Sequence, residues 1–348
     1  MPERFAELMG GAGQTPWWMS NAHLQTIVPA IWCSGEQAHY QVIREKWITP
    51  DGDFLEVHRI PPKGANPTLV LFHGLEGGAS SHYVQAFSKS VVARGWGFVL
   101  PHFRGCGREI NFAPRAYHSG DHVEMDWILR KLKSETQGLP LLAVGVSLGG
   151  NALMKWAGEH SHDAVSVVAA AAAISSPLDL VASGLTLGRG FNRQVYTRMF
   201  LKTMLPKATQ KWNQYPGLFD LAQLRNATTL FEFDDLFTAP LHGFQNAMDY
   251  WQKASAKPVL IQVKVPSLLV NAINDPFVPS ASLPNAHEVS EQISLWQPRQ
   301  GGHVGFPMTP SRSKWGFSVS VMPNAVTRWL GAQIAETNTT HRKEGSHG

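Results

Sequence analysis

Residues 145–151 read Gly-Val-Ser-Leu-Gly-Gly-Asn. The serine stands between glycines two places away on either side, a GxSxG. The apolar run 141–145 leads in, and a helix-like run from Asn151 to His160 leads out. A serine hydroxyl is a weak nucleophile, and a sharp strand-to-helix turn is where a chain exposes one above a sheet. Glycine is needed two places before and after, because side chains there would collide with the neighbouring strand and helix. The helix that starts at the serine aims its amides at the same spot, so the N–H of Leu148 is an expected oxyanion donor. A bare GxSxG is weak and also fits a plain glycine-rich packing turn. The strand before it and the helix after it favour the nucleophile.

Such a serine needs a base, an orienting carboxylate and a second oxyanion donor. On this kind of scaffold the acid follows the serine and the histidine comes last. Asp275 lies just past the apolar run 266–273, and the adjacent Asn274 cannot carry the charge that stabilises an imidazolium. Asn-Asp-Pro also reads as a simple turn. The base expected is His303, after the run 292–297 and Gly301-Gly302. The chain has 15 histidines, so place decides: His303 follows the last strand-like run, where the base must sit. The second donor is the N–H of Leu75 in the stretch His73-Gly74-Leu75-Glu76-Gly77-Gly78, with His73 a structural, hydrogen-bonded residue. One such donor is worth about 3–4 kcal/mol in the transition state.

The elements that must position these groups are legible by periodicity. Residues 40–60 alternate, turn at Asp51-Gly52 and alternate again, as a hairpin does. Runs at 67–74, 97–101, 141–145 and 165–174 read as buried strands, and 81–95 and 122–138 read as helices. The alternation argues a parallel sheet wrapped by helices. It breaks at 178–258, which carries helical pieces without a convincing strand. Strands resume at 266–273 and 292–297, before a helix at 323–335. The expected organisation is an N-terminal irregular segment (1–38) packing on the core, core halves at 39–177 and 259–335, a helical insertion at 178–258 and a disordered polar tail at 336–348. The insertion is rich in Phe, Leu, Met, Trp and Tyr, which fits a lid over an apolar pocket and equally a second small core.

Composition excludes several classes. The formal net charge is +4 with the basic residues scattered, so no nucleic-acid surface is indicated. Two cysteines, Cys33 and Cys106, exclude a disulfide-framed domain. The start has no signal-peptide core, and the longest apolar run, 167–174, is too short to cross a bilayer. A soluble cytoplasmic protein is expected, with no metal and no cofactor. His118, His122 and Asp126 repeat every four residues, but a solvated helix start explains them better than a metal site. Cys106 lacks a base and a helix start, which disfavours it as a nucleophile. Asp234 and Asp235 are expected to tie the insertion to the core or simply to be solvated. Trp17, Trp18, Met19 and Leu24 are expected to pack within the protein rather than on a membrane, since no Lys/Arg-rich face accompanies them.

With these residues in hand, the chain resembles the α/β-hydrolase superfamily. Within it the resemblance is to the bacterial YheT-like hydrolases, grouped with the ABHD1/ABHD3-like branch (the AB hydrolase-4 family). The blocks that carry it are 20–32, 73–83, 102–107, 117–121, 145–151, 233–244, 274–279 and 301–306, in order. The resemblance implies an α/β-hydrolase fold, a mostly parallel sheet of about eight strands flanked by helices with a helical lid insertion. It implies a serine hydrolase with Ser147, Asp275 and His303 as triad, acting on carboxylic esters of short to medium chain or acylglycerol type. A small-molecule ester or lipid substrate is the expected partner, for a monomer or homodimer without stable membrane insertion. A thioesterase or lipid acyltransferase would use the same parts, and a non-catalytic lipid-binding protein would keep them as relics. Dehalogenases and epoxide hydrolases of this architecture place Asp where Ser147 stands.

Overall fold

The computed structural model describes residues 15–33, 41–309 and 316–344. The expected hairpin is β1 (Ile43–Ile48) and β2 (Phe54–Ile60). The apolar runs become β3 (Thr68–Phe72), β4 (Gly97–Pro101), β5 (Leu141–Val146), β6 (Ala170–Ile174), β7 (Ser267–Val270) and β8 (Ile293–Trp296). They form one eight-stranded sheet in the order β1-β2-β4-β3-β5-β6-β7-β8. β2 pairs antiparallel with β1 and β4, and all the other pairings are parallel.

The longer helices are α1 (Ala22–Trp32), α2 (His82–Val92), α3 (His122–Glu135), α4 (Leu148–Val167), α5 (Leu180–Leu187), α6 (Arg198–Gln214), α7 (Ala247–Ala254) and α8 (Val321–Glu344). Alternate side chains of the central strands feed two cores. Val70, Phe72 and Ala143 pack with residues of α3 and α4, while Leu69, Leu71, Leu142 and Val144 pack with residues of α2 and α8. Every residue of β5 is buried, and burial on both faces is why it reads as an unbroken apolar run.

Between β6 and β7 the chain is helical, with α5, α6, α7 and shorter turns forming a cap. The cap has its own apolar cluster, including Leu187, Tyr196, Phe233, Phe237 and Trp251, joined by Phe277 from the loop after β7.

Three expectations are corrected. The segment 165–174 is not one strand: α4 runs to Val167, closed by the bond from Val168 N to Ala164 O, and β6 begins at Ala170 where it pairs with Leu142. Tertiary pairing there overrides the strand preference of the valines. Part of the N-terminal irregular segment is the helix α1, started by the Asn21 side chain accepting from His23 N. Its buried residues are Gln25, Thr26 and Pro29, two of them polar, so its pattern departs from the apolar inward stripe that marks a helix in sequence. The final helix continues through Glu344 rather than ending at 335 before a disordered tail, since no Gly or Pro interrupts the chain between Gly331 and Gly345. Residues 1–14, 34–40, 310–315 and 345–348, which include the ends of the expected N-terminal segment and tail, lie outside the described residues.

Candidate active site

Ser147 occupies the turn between β5 and α4 with φ +52° and ψ −120°, a backbone state that non-glycine residues rarely adopt. The strain is held by two bonds, Ser147 N to Ile174 O at 2.8 Å and Gly150 N to Ser147 O at 2.9 Å. The glycines are required by close approach: a Cβ on Gly145 would come within 2.5 Å of Gly150 Cα, and one on Gly149 within 2.6 Å of the His73 carbonyl oxygen.

The structure brings the three expected side chains together. His303 Nε2 lies 2.9 Å from Ser147 Oγ, and His303 Nδ1 lies 2.9 Å from Asp275 Oδ2. Asp275 Oδ1 accepts the backbone N–H of Phe277 at 2.8 Å, which fixes the carboxylate on the loop after β7. The Phe277 ring lies against the imidazole, with centroids 4.0 Å apart and planes 24° from parallel. With Asp275 accepting at Nδ1, the imidazole presents Nε2 as an acceptor toward the serine hydroxyl.

The loop carrying His303 is held from a distance. His303 N donates to Thr26 Oγ1 at 2.9 Å, and Gly301 N donates to Gln25 Oε1 at 2.8 Å. The Gln25 oxygen also accepts from Asn274 Nδ2, and Asn274 Oδ1 accepts from Gly302 N. Gln25 is fully buried and joins the loops of Asp275 and His303 to α1. Asn151, also fully buried, ties α4 to the Ser119 and Ala254 carbonyls. These three side chains escaped the sequence reading. In the sequence the block 20–32 carries the family resemblance and gives Gln25 and Thr26 no local sign of a role.

The expected oxyanion donors lie beside the serine. A Cβ on Gly74 would stand 3.1 Å from Ser147 Cβ, which places the loop after β3 against that serine. Leu75 and Leu148 line one cavity with Ser147 and His303, and neither amide donates to a protein acceptor among the described residues. Buried His73 fixes this loop: Nδ1 donates to Gly74 O at 2.8 Å and Nε2 accepts from Phe103 N at 3.1 Å. Burial pushes its pKa down to about 4, so it is a neutral brace. Glu76 follows Leu75 with φ +55°. Its N–H donates to Tyr117 Oη at 3.1 Å, and its carboxylate accepts from Tyr117 Oη at 2.9 Å and from Lys207 Nζ of α6 at 2.8 Å. Tyr117 and Lys207, which the sequence did not single out, thus clamp the residue next to Leu75.

The cavity has a volume of about 140 Å³. Its far walls are cap side chains, among them Leu180, Leu187, Phe200, Met204, Phe233 and Trp251. Several also belong to the cap's own cluster, so the two readings of the insertion, pocket wall and small core, describe the same side chains. Asp234 lies on this wall, accepting from Trp251 Nε1 at 2.7 Å and Thr238 Oγ1 at 2.6 Å. Burial pushes its carboxyl up to about 6. Asp235 accepts from Ala247 N at 2.9 Å. The acidic pair therefore ties cap segments to one another rather than the cap to the core.

The remaining candidates have structural placements. Asp121 caps α3 by accepting from Glu124 N, as a helix start requires, but His118 is turned inward against His242 and Tyr250 instead of being solvated. No three metal-ligating side chains are grouped among the described residues. Burial pushes the Cys106 thiol up to about 12.

A strained serine at a strand-to-helix turn under a helical cap, within hydrogen-bond reach of a histidine after the last strand, defines a class, and the chain belongs to the alpha/beta hydrolase fold family, which it matches over residues 67–308. It is 38% identical over 292 residues to the putative esterase YheT of Escherichia coli, covering 82% of this chain and 84% of that one. It is also 29% identical over 242 residues to the mouse phospholipase ABHD3, covering 69% of this chain and 58% of the relative, so it spans little more than half of that protein. Among solved structures, the Pyrococcus furiosus esterase Pf2001 superposes with a TM-score of 0.52 at 16% identity, over 87% of this chain and 96% of that one.

Proposed function

We propose that this ester hydrolase is a serine carboxylesterase for short- to medium-chain acyl esters, working through an acyl-enzyme on Ser147. The observation that carries the reading is the unbroken path Ser147 Oγ–His303–Asp275 opening onto an apolar cavity beside two free amides. Ser147 Oγ attacks the ester carbonyl carbon as its proton passes to His303 Nε2. Asp275 holds the imidazole in orientation and stabilises the imidazolium. The carbonyl oxygen, now negative, is held by the amides of Leu75 and Leu148. The alcohol leaves with the proton from Nε2. Water, deprotonated by His303, then attacks the acyl carbon and frees the acid.

Cavity size supports the acyl length. An apolar cavity of roughly 150 Å³ holds a benzene-sized guest, so 140 Å³ suits an acyl chain of about six carbons. The test pairs two measurements. A fluorophosphonate probe is expected to label the wild type and leave Ser147→Ala unlabelled, and a panel of p-nitrophenyl esters is expected to give a kcat/KM maximum near six carbons. Labelling that persists in the folded alanine variant would defeat the mechanism. A maximum at long chains would defeat the size assignment alone.

A further inference from the structure

Helix α1 is built inside out. Its inward side carries Gln25 and Thr26, which hold the Asn274 and His303 loops. Its outward side carries Leu24, Ile31 and Trp32 at helical spacing, exposed by 41%, 64% and 69%. The helix contains no Lys, Arg, Asp or Glu. A helix of a soluble protein turns its apolar stripe to the core, so an apolar stripe in solvent marks a missing apolar partner.

The cap supplies what the sequence did not show beside this helix. The His23 ring of α1 lies 4.3 Å from the Phe191 ring, and its Nδ1 lies 3.0 Å from Tyr196 Oη. From residue 180 to residue 219 the cap has no Asp or Glu. Its lysines 207 and 211 are turned inward, to Glu76 and to the carbonyls of Asn111 and Ala113. Arg189, Arg193, Arg198 and Lys202 remain exposed, and none forms an ion pair among the described residues. Phe191 and Met199 stand exposed among them. These four cations belong to the cap segment that α1 meets at His23.

We propose that this joint surface, the outer stripe of α1 with the cationic start of the cap, docks on an anionic lipid surface. The charge pattern selects the occupant. An apolar stripe inserts at the headgroup boundary, and cations with no acidic neighbour in their own segment gain from anionic headgroups. No described helix is long and apolar enough to cross a membrane, so contact is confined to one leaflet's surface. The surface adjoins the site: Tyr196 packs on Phe277, centroids 4.5 Å apart, and Phe277 on His303. Docking there brings the cavity to substrates that partition into the bilayer.

The inference is independent of the esterase reading, because binding is measured without turnover. The intact protein is sedimented with vesicles of phosphatidylcholine alone and of phosphatidylcholine mixed with phosphatidylglycerol. Binding to the mixed vesicles, weakened by salt, is expected. Ile31→Asp with Trp32→Glu, and separately Arg198→Glu with Lys202→Glu, are each expected to weaken it at least about tenfold while kcat/KM on soluble p-nitrophenyl butyrate is unchanged. Equal or absent wild-type binding to the two vesicle types overturns the proposal, and so do variants that bind as the wild type does. A wild-type dimer that Ile31→Asp dissociates also overturns it, since a second copy would then cover the face.

Discussion

At the scale of single residues, the arrangement makes Asp275 and Asp234 opposites. Asp275 accepts from two backbone amides and faces an imidazole, so its oxygens have a use for negative charge. Asp275→Asn keeps the shape but offers an NH₂ where Nδ1–H must donate, turning the imidazole to the wrong tautomer. We expect kcat to fall by about 10⁴ with the fold intact, read by steady-state kinetics beside circular dichroism. Asp234 has no cation beside it, and burial raises its pKa from 3.8 to about 6. The folded state therefore favours its neutral form, and the stability linked to that form is complete below pH 3.8 and lost as pH rises through 6. Asp234→Asn accepts from Trp251 and donates to Thr238 without ionising. It is expected to raise stability by up to about 3 kcal/mol at pH 7.5 and by nothing near pH 3, measured as denaturant midpoints at both pH values. Ser147, Asp275 and His303 were legible because each follows a strand end, and a strand end is visible as the close of an apolar run. Gln25 was not: its bond to Gly301 joins positions 276 residues apart, and nothing local announces it.

At the scale of elements, the sequence marked those whose apolar side faces a core. β3 and β5 were plain because both faces are buried, and α3 because its stripe, including Met125, Ile128 and Leu132, repeats at helical spacing. α1 failed that test because it buries Gln25 and Thr26 while Leu24, Ile31 and Trp32 face outward. Its position gives it leverage over the site nonetheless, since Gln25 and Thr26 hold the loop of His303. Gln25→Ala is expected to lower kcat by about ten- to a hundredfold with KM little changed, because it loosens the base without touching the pocket. A change confined to KM would show that the loop holds itself. Arg104, which lines the same cavity as Ser147, plays a structural part. It is buried, bonded to Asp53 at 2.7 Å and to Glu124, and anchors the loop after β4. Arg104→Ala strands two buried carboxylates and is expected to destabilise by about 3–5 kcal/mol, read from urea midpoints.

At the scale of the whole molecule, the proposed mechanism divides the work between core and cap: loops at the sheet's edge hold Ser147, Asp275 and His303, and cap side chains line the cavity that would take the acyl chain. Leu187→Ala removes three carbons from the cavity wall. It is expected to move the p-nitrophenyl ester optimum two or three carbons longer, and to lower stability by about 2–5 kcal/mol. The Glu76–Lys207 bridge adds a condition. Lys207 belongs to α6, and Glu76 adjoins the Leu75 amide, so the bridge couples the cavity's roof to the loop after β3. Under the proposed mechanism, an ester with an overlong acyl chain that displaces α6 would shift that amide with it. Such an ester is then expected to bind and yet acylate slowly, so that chain-length discrimination would be read in kcat rather than in KM.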